Sequence, residues 1–220
     1  KGLSFGTIPA HLKTNKQNDK SPLIIRPKTI ELKDVESKAS LSKNESIYSA
    51  LKLGLKDYVR KNKFTKVLIG ISGGIDSALT AAICVDALGA ENVIGVAMPS
   101  KYNSKDSLDD AIKLSDNLGI TLKTIEIEKL VDDFRETLTN SLNEDLGQIT
   151  DENIQSRVRG NILMGLSNQT GAMVVSTGNK SEMAVGYSTL YGDLAGGFAL
   201  IKDLYKTCLL YTSPSPRDGI

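Results

Sequence analysis

Hydrophobic and polar residues follow two different periods along this chain. From residue 45, Ile47, Leu51, Leu55, Tyr58 and Val59 recur at the three- and four-residue spacing of an amphipathic helix, with Asn44 placed to cap its start. Compact apolar runs and helical patterns then take turns: strand over 66–71, helix over 77–88, strand over 93–98, helix over 107–118, strand over 121–127, helix over 130–140. Gly89 and Gly119 fall just past helical runs, where a left-handed C-cap is needed, and Ser107-x-x-Asp110 has the spacing of a capping-box start. A polar stretch at 143–150 leads into a long amphipathic helix over 151–167 and a buried strand over 172–176. Strands separated by helical crossovers imply right-handed βαβ units, hence an α/β fold whose parallel sheet is covered by helices on both faces. Ligands of such sheets bind at the carboxyl ends of the strands, so the loops at 72–77, 99–101 and 177–180 are expected to converge on one crevice.

The first 43 residues break this pattern. They are rich in Lys, Asn, Ser and Pro, and offer only short extended runs at 23–25 and 29–32, too little for a core of their own. With 220 residues, 40% hydrophobic and 24% charged, the whole is one substantial domain plus an appendage. The net charge of +1 hides an asymmetry, nine Lys/Arg against five Asp/Glu over 1–46 and eighteen against twenty-one over 47–220. The globular part therefore lacks the broad basic field of a nucleic-acid binder. Two cysteines, Cys84 and Cys208, form neither a metal spacing nor a disulfide framework, and a single histidine, His11, excludes His-based metal clusters and Ser-His or Cys-His catalysis within the chain. No apolar stretch reaches membrane-spanning length and the start lacks a signal-peptide pattern, so the cytosol is the expected compartment.

Ser72-Gly73-Gly74-Ile75-Asp76-Ser77 follows the first apolar run directly. Two adjacent glycines let the backbone turn so that successive N–H groups converge on an anion, and the following helix adds the positive end of its dipole. Asp76 is the odd member, because a carboxylate beside a phosphate is repulsive unless a cation such as Mg²⁺ lies between them. No Gly-Lys pair occurs in the chain, which excludes the kinase-type phosphate loop. The plainer reading is an ordinary strand-to-helix turn.

Three more segments narrow the picture: Glu152-Asn153-Ile154-Gln155-Ser156-Arg157-Val158-Arg159-Gly160-Asn161, Thr177-Gly178-Asn179-Lys180-Ser181-Glu182 and Tyr191-Gly192-Asp193. The six-residue loop resembles that of the pyrophosphatase-loop ATPases. With the other three, it resembles the synthetase domain of glutamine-dependent NAD⁺ synthetases over about residues 47–207. The resemblance implies an adenine-nucleotide α-hydrolase-like (Rossmann-like) fold and a ligase that adenylates the nicotinate carboxylate of deamido-NAD⁺ with ATP, releases pyrophosphate, and lets ammonia displace AMP. It implies ATP contacts from Gly70, Ile71, Ser72, Gly73, Gly74, Ile75, Asp76, Ser77, Thr177 and Lys206. It also implies deamido-NAD⁺ contacts from Asn153, Arg157, Glu182 and Asp193, Mg²⁺ held by Asp76 and Glu182, and catalytic roles for Asp76, Glu182 and Lys206. The loop at 98–102 matches the segment lying against adenine, with Lys101 where the family commonly has Arg.

Family members usually form homodimers, and the helix over 151–167 carries both Arg157 and the apolar residues Ile154, Val158, Ile162, Leu163 and Leu166 that such a contact could use. The family's ammonia comes from an amino-terminal glutaminase with a Glu-Lys-Cys triad. Residues 1–46 hold no cysteine and are too few for that domain, so they read as its remnant and a linker, and the chain as a fragment. Residues 208–220 replace the family's helical continuation by a Ser/Pro run that a helix cannot cross, an aberrant extension or a divergent tail. Two alternatives stay open: another amidotransferase or adenylating enzyme of the same superfamily, and a non-catalytic adenine-nucleotide-binding module.

Overall fold

The computed structural model describes residues 41–101 and 105–212. Helix α1 (Lys43–Lys61) leads into β1 (Val67–Gly70), α2 (Ile75–Leu88), β2 (Val93–Ala97), α3 (Lys105–Leu118), β3 (Thr121–Thr124) and α4 (Glu128–Leu142). Then come α5 (Gln148–Thr170), β4 (Met173–Ser176), α6 (Lys180–Val185), β5 (Phe198–Ala199) and α7 (Lys206–Thr212). The strands form one sheet in the order β3-β2-β1-β4-β5, and every pairing is parallel. The chain runs outward from β1 to β3 and then returns to the other side of β1, so the order reverses between β1 and β4, where a ligand crevice belongs.

Both faces of the sheet are covered, and the strands divide their side chains between two cores. Val67, Ile69 and Ile71 enter one core with Leu55 and Val59 of α1, Ile83 and Cys84 of α2, and Leu209 of α7. Leu68, Val96 and Val174 enter the other with Val131 of α4 and with Ile154 and Val158 of α5. This explains why the central strands read as unbroken apolar runs. At the sheet edge β3 shows a mostly solvated face, with Thr121, Lys123 and Thr124 exposed, a composition that discourages pairing with another chain. Among the described residues no helix is long and apolar enough to cross a membrane.

The predicted alternation holds, and the differences lie at the ends of elements. Helix α1 is capped by Ser42 rather than Asn44: Ser42 Oγ accepts from the Glu45 N–H while the Glu45 side chain accepts from the Ser42 N–H. That Ser-x-x-Glu box is visible in the sequence. Ser107 lies inside α3 and not at its start, and β3 ends at Thr124 rather than 127. Helix α5 begins at Gln148, absorbing part of the stretch read as a polar loop. The short β5, which has no periodic signal, was not foreseen. Helix α7 continues through Cys208 to Thr212, past the boundary expected at 208, because the first proline comes only at Pro214. The extended runs at 23–25 and 29–32, His11 and residues 213–220 lie outside the described residues.

Two glycines of α5 have opposite surroundings. A Cβ on Gly160 would stand 2.7 Å from the Tyr191 carbonyl oxygen and 2.9 Å from that of Gly192, whereas a Cβ on Gly165 would meet nothing within 4 Å. Alanine gains about 1 kcal/mol over glycine inside a helix, but forcing a methyl into packed backbone costs about 1–3 kcal/mol. Gly165→Ala is therefore expected to stabilise the chain by about 0.5–1 kcal/mol. Gly160→Ala should destabilise it despite the same propensity gain. Urea denaturation of the two variants and the wild type checks the opposite signs.

Candidate active site

The loop leaving β1 is shaped by one residue that must be glycine. Gly73 has φ +81°, and a Cβ there would stand 2.4 Å from the Ser107 carbonyl oxygen, so the turn lies directly against the first turn of α3. Hydroxyl groups brace the turn from within. Ser77 Oγ donates to the Gly74 carbonyl at 2.9 Å and accepts from the Ser72 N–H at 3.2 Å, and the Gly74 N–H donates to Ser72 Oγ at 3.2 Å. Gly74 is the N-cap of α2 and offers no side-chain acceptor to the first N–H groups of the helix. These donors and the dipole end suit a bound anion.

Asp76, in the first turn of α2, faces the loop after β4. Its Oδ1 accepts from Asn179 Nδ2 at 3.0 Å, and its Oδ2 forms a short ion pair with Lys206 Nζ. Asn179 is fully buried and caps α6: its Oδ1 accepts from the Glu182 N–H at 3.0 Å, and its own N–H donates to Glu182 Oε2 at 3.1 Å. The same turn holds the start of α7, since the Lys206 N–H donates to Ser181 Oγ at 3.0 Å. Asp76, Glu182 and Lys206 are thus gathered on one turn, with Asn179 between the two acids.

Among the described residues no group of three or more His, Cys, Asp or Glu side chains gathers as a metal cage. Two hard carboxylates beside an anion-binding loop nevertheless fit Mg²⁺, which keeps waters and substrate phosphates as most of its ligands. They would not satisfy zinc or a fully protein-bound calcium.

Beside this cluster opens a cavity of about 1120 Å³ at the carboxyl ends of β1, β2 and β4. Its walls include Gly70, Ile71 and Ser72 from the phosphate loop, Met98 and Pro99 after β2, Thr177 after β4, and Asn153, Arg159 and Asp193. Helix α5 and the loop over 186–193 close the far side. Asn153 Oδ1 accepts from Thr189 Oγ1 at 2.8 Å, Ser156 Oγ accepts from the Asp193 N–H at 3.0 Å, and Asp193 Oδ1 accepts from the Thr189 N–H at 2.6 Å. The close approach of Gly160 to the Tyr191-Gly192 backbone lets the loop lie flat on the helix.

A row of polar side chains one helical turn apart lines α5 toward β2. Asp151 Oδ2 accepts from Gln155 Nε2 at 3.1 Å, Ser100 Oγ donates to Gln155 Oε1 at 3.4 Å, and Arg159 Nη2 reaches Ser100 Oγ at 3.5 Å. Burial lowers the pKa of the Arg159 guanidinium. Behind the row, Arg135 of α4 grips Asp151 with both arms of its fork and also meets Asp132 and Glu128. These hydrogen bonds hold Asp151 below the usual aspartate pKa and push that of Arg135 up. Lys101 is drawn to α4, with Nζ 2.9 Å from Glu128 Oε1 and its N–H donating to Glu128 Oε2 at 3.0 Å. Its visible task is to anchor the loop after β2.

The residues expected from the sequence fall into two adjoining groups. Gly70, Ile71, Ser72, Thr177, Asn153 and Asp193 line the cavity, while Asp76, Glu182 and Lys206 form the polar cluster around α6. Gly73, Gly74, Ile75 and Ser77 build the loop that joins them. Arg157 is exposed, lies outside the cavity wall, and donates from Nε to the Leu190 carbonyl at 3.2 Å. Ile154 and Val158 are buried in the chain's own core, while Ile162, Leu163 and Leu166 are partly buried against it. Sequence reasoning assigned no role to Asn179, Gln155 or Arg159. The Asn-x-x-Glu capping spacing of Asn179 and Glu182 was a usable signal, as was the four-residue repeat of Asp151, Gln155 and Arg159.

A carboxylate held below its unfolded pKa adds stability that is complete above the unfolded value and is lost as pH falls through the folded one. For Asp151 that window lies below about pH 4. The stability of the wild type over Arg135→Gln should therefore be greatest near neutral pH and shrink progressively below pH 4. Urea midpoints of both proteins between pH 3 and 7 check it; a difference independent of pH would mean that Arg135 acts by packing alone.

Comparison with known proteins agrees with this geometry. The family model described as NAD synthase matches residues 47–211. A curated relative, the glutamine-dependent NAD(+) synthetase of Thermotoga maritima, is 56% identical over 165 residues, covering 75% of this chain and 29% of that protein. The chain thus spans less than a third of the length of such relatives. A solved glutamine-dependent NAD⁺ synthetase from Acinetobacter baumannii, in complex with ADP, superposes with a TM-score of 0.78 at 48% identity, over 80% of this chain and 34% of that one. The NH3-dependent NAD synthetase of Campylobacter jejuni, solved with a nitrate ion, gives a TM-score of 0.71 at 34% identity, over 78% of this chain and 72% of that one. Family match, identity and superposition agree on the same stretch of sequence: the chain belongs to the NAD synthase family.

Proposed function

We propose that this chain carries the ammonia-using ligase activity of its family, the ATP-dependent amidation of deamido-NAD⁺ to NAD⁺. The observation that carries the reading is the junction of the phosphate loop with a cavity of about 1120 Å³, at or above the upper end of about 300–1000 Å³ for ordinary small-molecule pockets. Such a volume accommodates two large nucleotides meeting at their reacting ends. The named activities of the relatives and the ADP held by the Acinetobacter protein support the same reading. Neither cysteine forms a disulfide, in keeping with a cytosolic setting.

In this reading the Ser72–Ser77 turn receives the ATP phosphates through the uncapped N–H groups at the start of α2 and its dipole, with Gly70, Ile71 and Thr177 along the nucleotide. Asn153 and Asp193 bind deamido-NAD⁺ at the far wall. Arg157, exposed beside the 186–193 loop, meets the dinucleotide where it leaves the cavity. Asp76 and Glu182 would hold Mg²⁺, which when bound offsets the negative charge building on the departing pyrophosphate. Lys206, which pairs with Asp76, would turn its ammonium group to the phosphates as a point charge. The nicotinate carboxylate attacks the α-phosphorus, pyrophosphate leaves, and ammonia then displaces AMP from the acyl carbon.

The test is pyrophosphate release and NAD⁺ formation by the 220-residue chain given ATP, deamido-NAD⁺ and ammonium, with and without Mg²⁺. Binding of both nucleotides without pyrophosphate release would favour a non-catalytic module, and release with a different adenylyl-accepting substrate would favour another adenylating enzyme. Asp76→Asn should lower single-turnover pyrophosphate release by about 10²-fold. Adding Glu182→Gln to it should cost much less than Glu182→Gln costs alone, because the two acids serve one cation. Additive losses would overturn the shared-metal assignment.

A homodimer or higher homo-oligomer belongs to the same reading. With Ile154 and Val158 of α5 buried in the core, the surface for a second copy is the exposed set Ile149, Val185, Tyr187, Leu190 and Tyr191. Sedimentation should show concentration-dependent association that Tyr191→Glu weakens, and a monomer at all concentrations would refute it.

A further inference from the structure

We infer that Asn179 is a positioning residue that sets the two acids of the site, Asp76 and Glu182, in register with each other. The inference rests on the functional reading above and adds a residue to it. Asn179 is fully buried, and both polar atoms of its side chain are hydrogen-bonded within the cluster. Its Nδ2 donates to Asp76 Oδ1 at 3.0 Å, from the other side of the β1–β4 junction and 103 residues away in sequence. Its Oδ1 accepts from the Glu182 N–H at 3.0 Å, and its backbone N–H holds Glu182 Oε2 at 3.1 Å. One planar amide thus fixes a carboxylate of α2 on one edge and the helix that carries the other carboxylate on its opposite edge.

The other side chains that commonly cap a helix do not do all of this. Serine, threonine or aspartate would cap α6 as well as asparagine does. None of them can cap with an oxygen and at the same time reach Asp76 with an N–H donor. The donor also matters electrostatically. Asp76 already faces Lys206 through Oδ2, so when that ammonium group turns to substrate phosphates, Asn179 is the contact that remains to keep the Asp76 plane in place. Supporting partners of this kind are typically worth about 10–100-fold in metal affinity or activity.

The capping and positioning roles can be separated by substitution. Asn179→Ser keeps a side-chain oxygen for the Glu182 N–H but removes the amide donor that reaches Asp76, whereas Asn179→Ala removes both. For the full chain, thermal unfolding without ligand reads the cap, and calorimetric affinity for ATP with and without Mg²⁺ reads the positioning.

The expected result is that Asn179→Ser unfolds within a degree or two of the wild type and binds metal-free ATP as the wild type does. It should lose about 10-fold or more of the tightening that Mg²⁺ gives. That loss should vanish in an Asp76→Asn background, since the effect runs through Asp76. Asn179→Ala should show the same Mg²⁺ defect together with a lower unfolding temperature. An Asn179→Ser protein with wild-type Mg²⁺ dependence, or a defect undiminished in the Asp76→Asn background, would reduce Asn179 to a helix cap and overturn the inference. A wild-type chain that binds no ATP under any condition would instead overturn the nucleotide reading, and this inference with it.

Discussion

The parallel pairing of β1 with β4 is the contact on which the rest of the site depends. It aligns Val67 with Met173 and Leu68 with Val174, residues that are almost wholly buried, so the register is held by apolar packing on both faces of the sheet. A slip of one residue would exchange the two faces and send Leu68 or Val174 into the wrong core. Because the strands are parallel, their carboxyl ends stop side by side, and the loops that follow them must share one small volume. Asp76 and Asn179, 103 residues apart, meet for that reason. The sheet's hydrophobic order thus fixes the separation of groups that are themselves polar.

Burying polar groups there has a cost, which is met by pairing. Asn179 has no exposure and uses each edge of its amide. Ser77, nearly as buried, both donates and accepts within the phosphate loop. The groups left over are the N–H donors at the start of α2, where Gly74 provides no side-chain cap. A helix start usually satisfies those donors with its own Ser, Thr, Asp or Asn. Its omission at α2 leaves those donors without a side-chain partner, and the acidic residue in the first turn, Asp76, is turned aside to Asn179 and Lys206.

Most of the fold was legible in the sequence because a parallel sheet writes itself plainly: Val67–Gly70 and Met173–Ser176 are apolar runs buried on both faces, and each crossover helix carries its own period. Elements whose cause is tertiary were not legible. The two-residue β5 has no pattern of its own and exists through its ladder with Val175 and Ser176. The start of α5 at Gln148 depends on partners elsewhere, as Asp151 is held by Arg135 of the preceding helix. In the site, glycine and acidic residues at motif spacing pointed to the phosphate loop and to Asp76 and Glu182. Asn179 escaped because its distinguishing contact, with Asp76, crosses from one loop to another. Arg157 shows the converse: its place in a motif suggested a cavity residue, while its side chain turns out toward the backbone of Leu190.

The two ends of the crevice are held by different forces, and this bears on how its specificity can change. At the end formed by the 72–77 turn, loops leave buried strands within one or two residues, and Gly73 is locked against the backbone of Ser107. At the other end, the loop over 186–193 lies on α5 through a few hydrogen bonds from Asn153, Ser156 and Arg157, and several of its side chains, Tyr187, Leu190 and Tyr191 among them, face solvent. Individual hydrogen bonds of this kind contribute only about 0.5–1.5 kcal/mol each, far less than the core beneath the phosphate loop. Substitutions in the loop can therefore reshape the far wall of the cavity with little effect on the fold, provided that Gly160 and Gly192 keep the helix and loop in contact. The architecture leaves the end at the 72–77 turn fixed in shape and the far wall of the cavity free to vary.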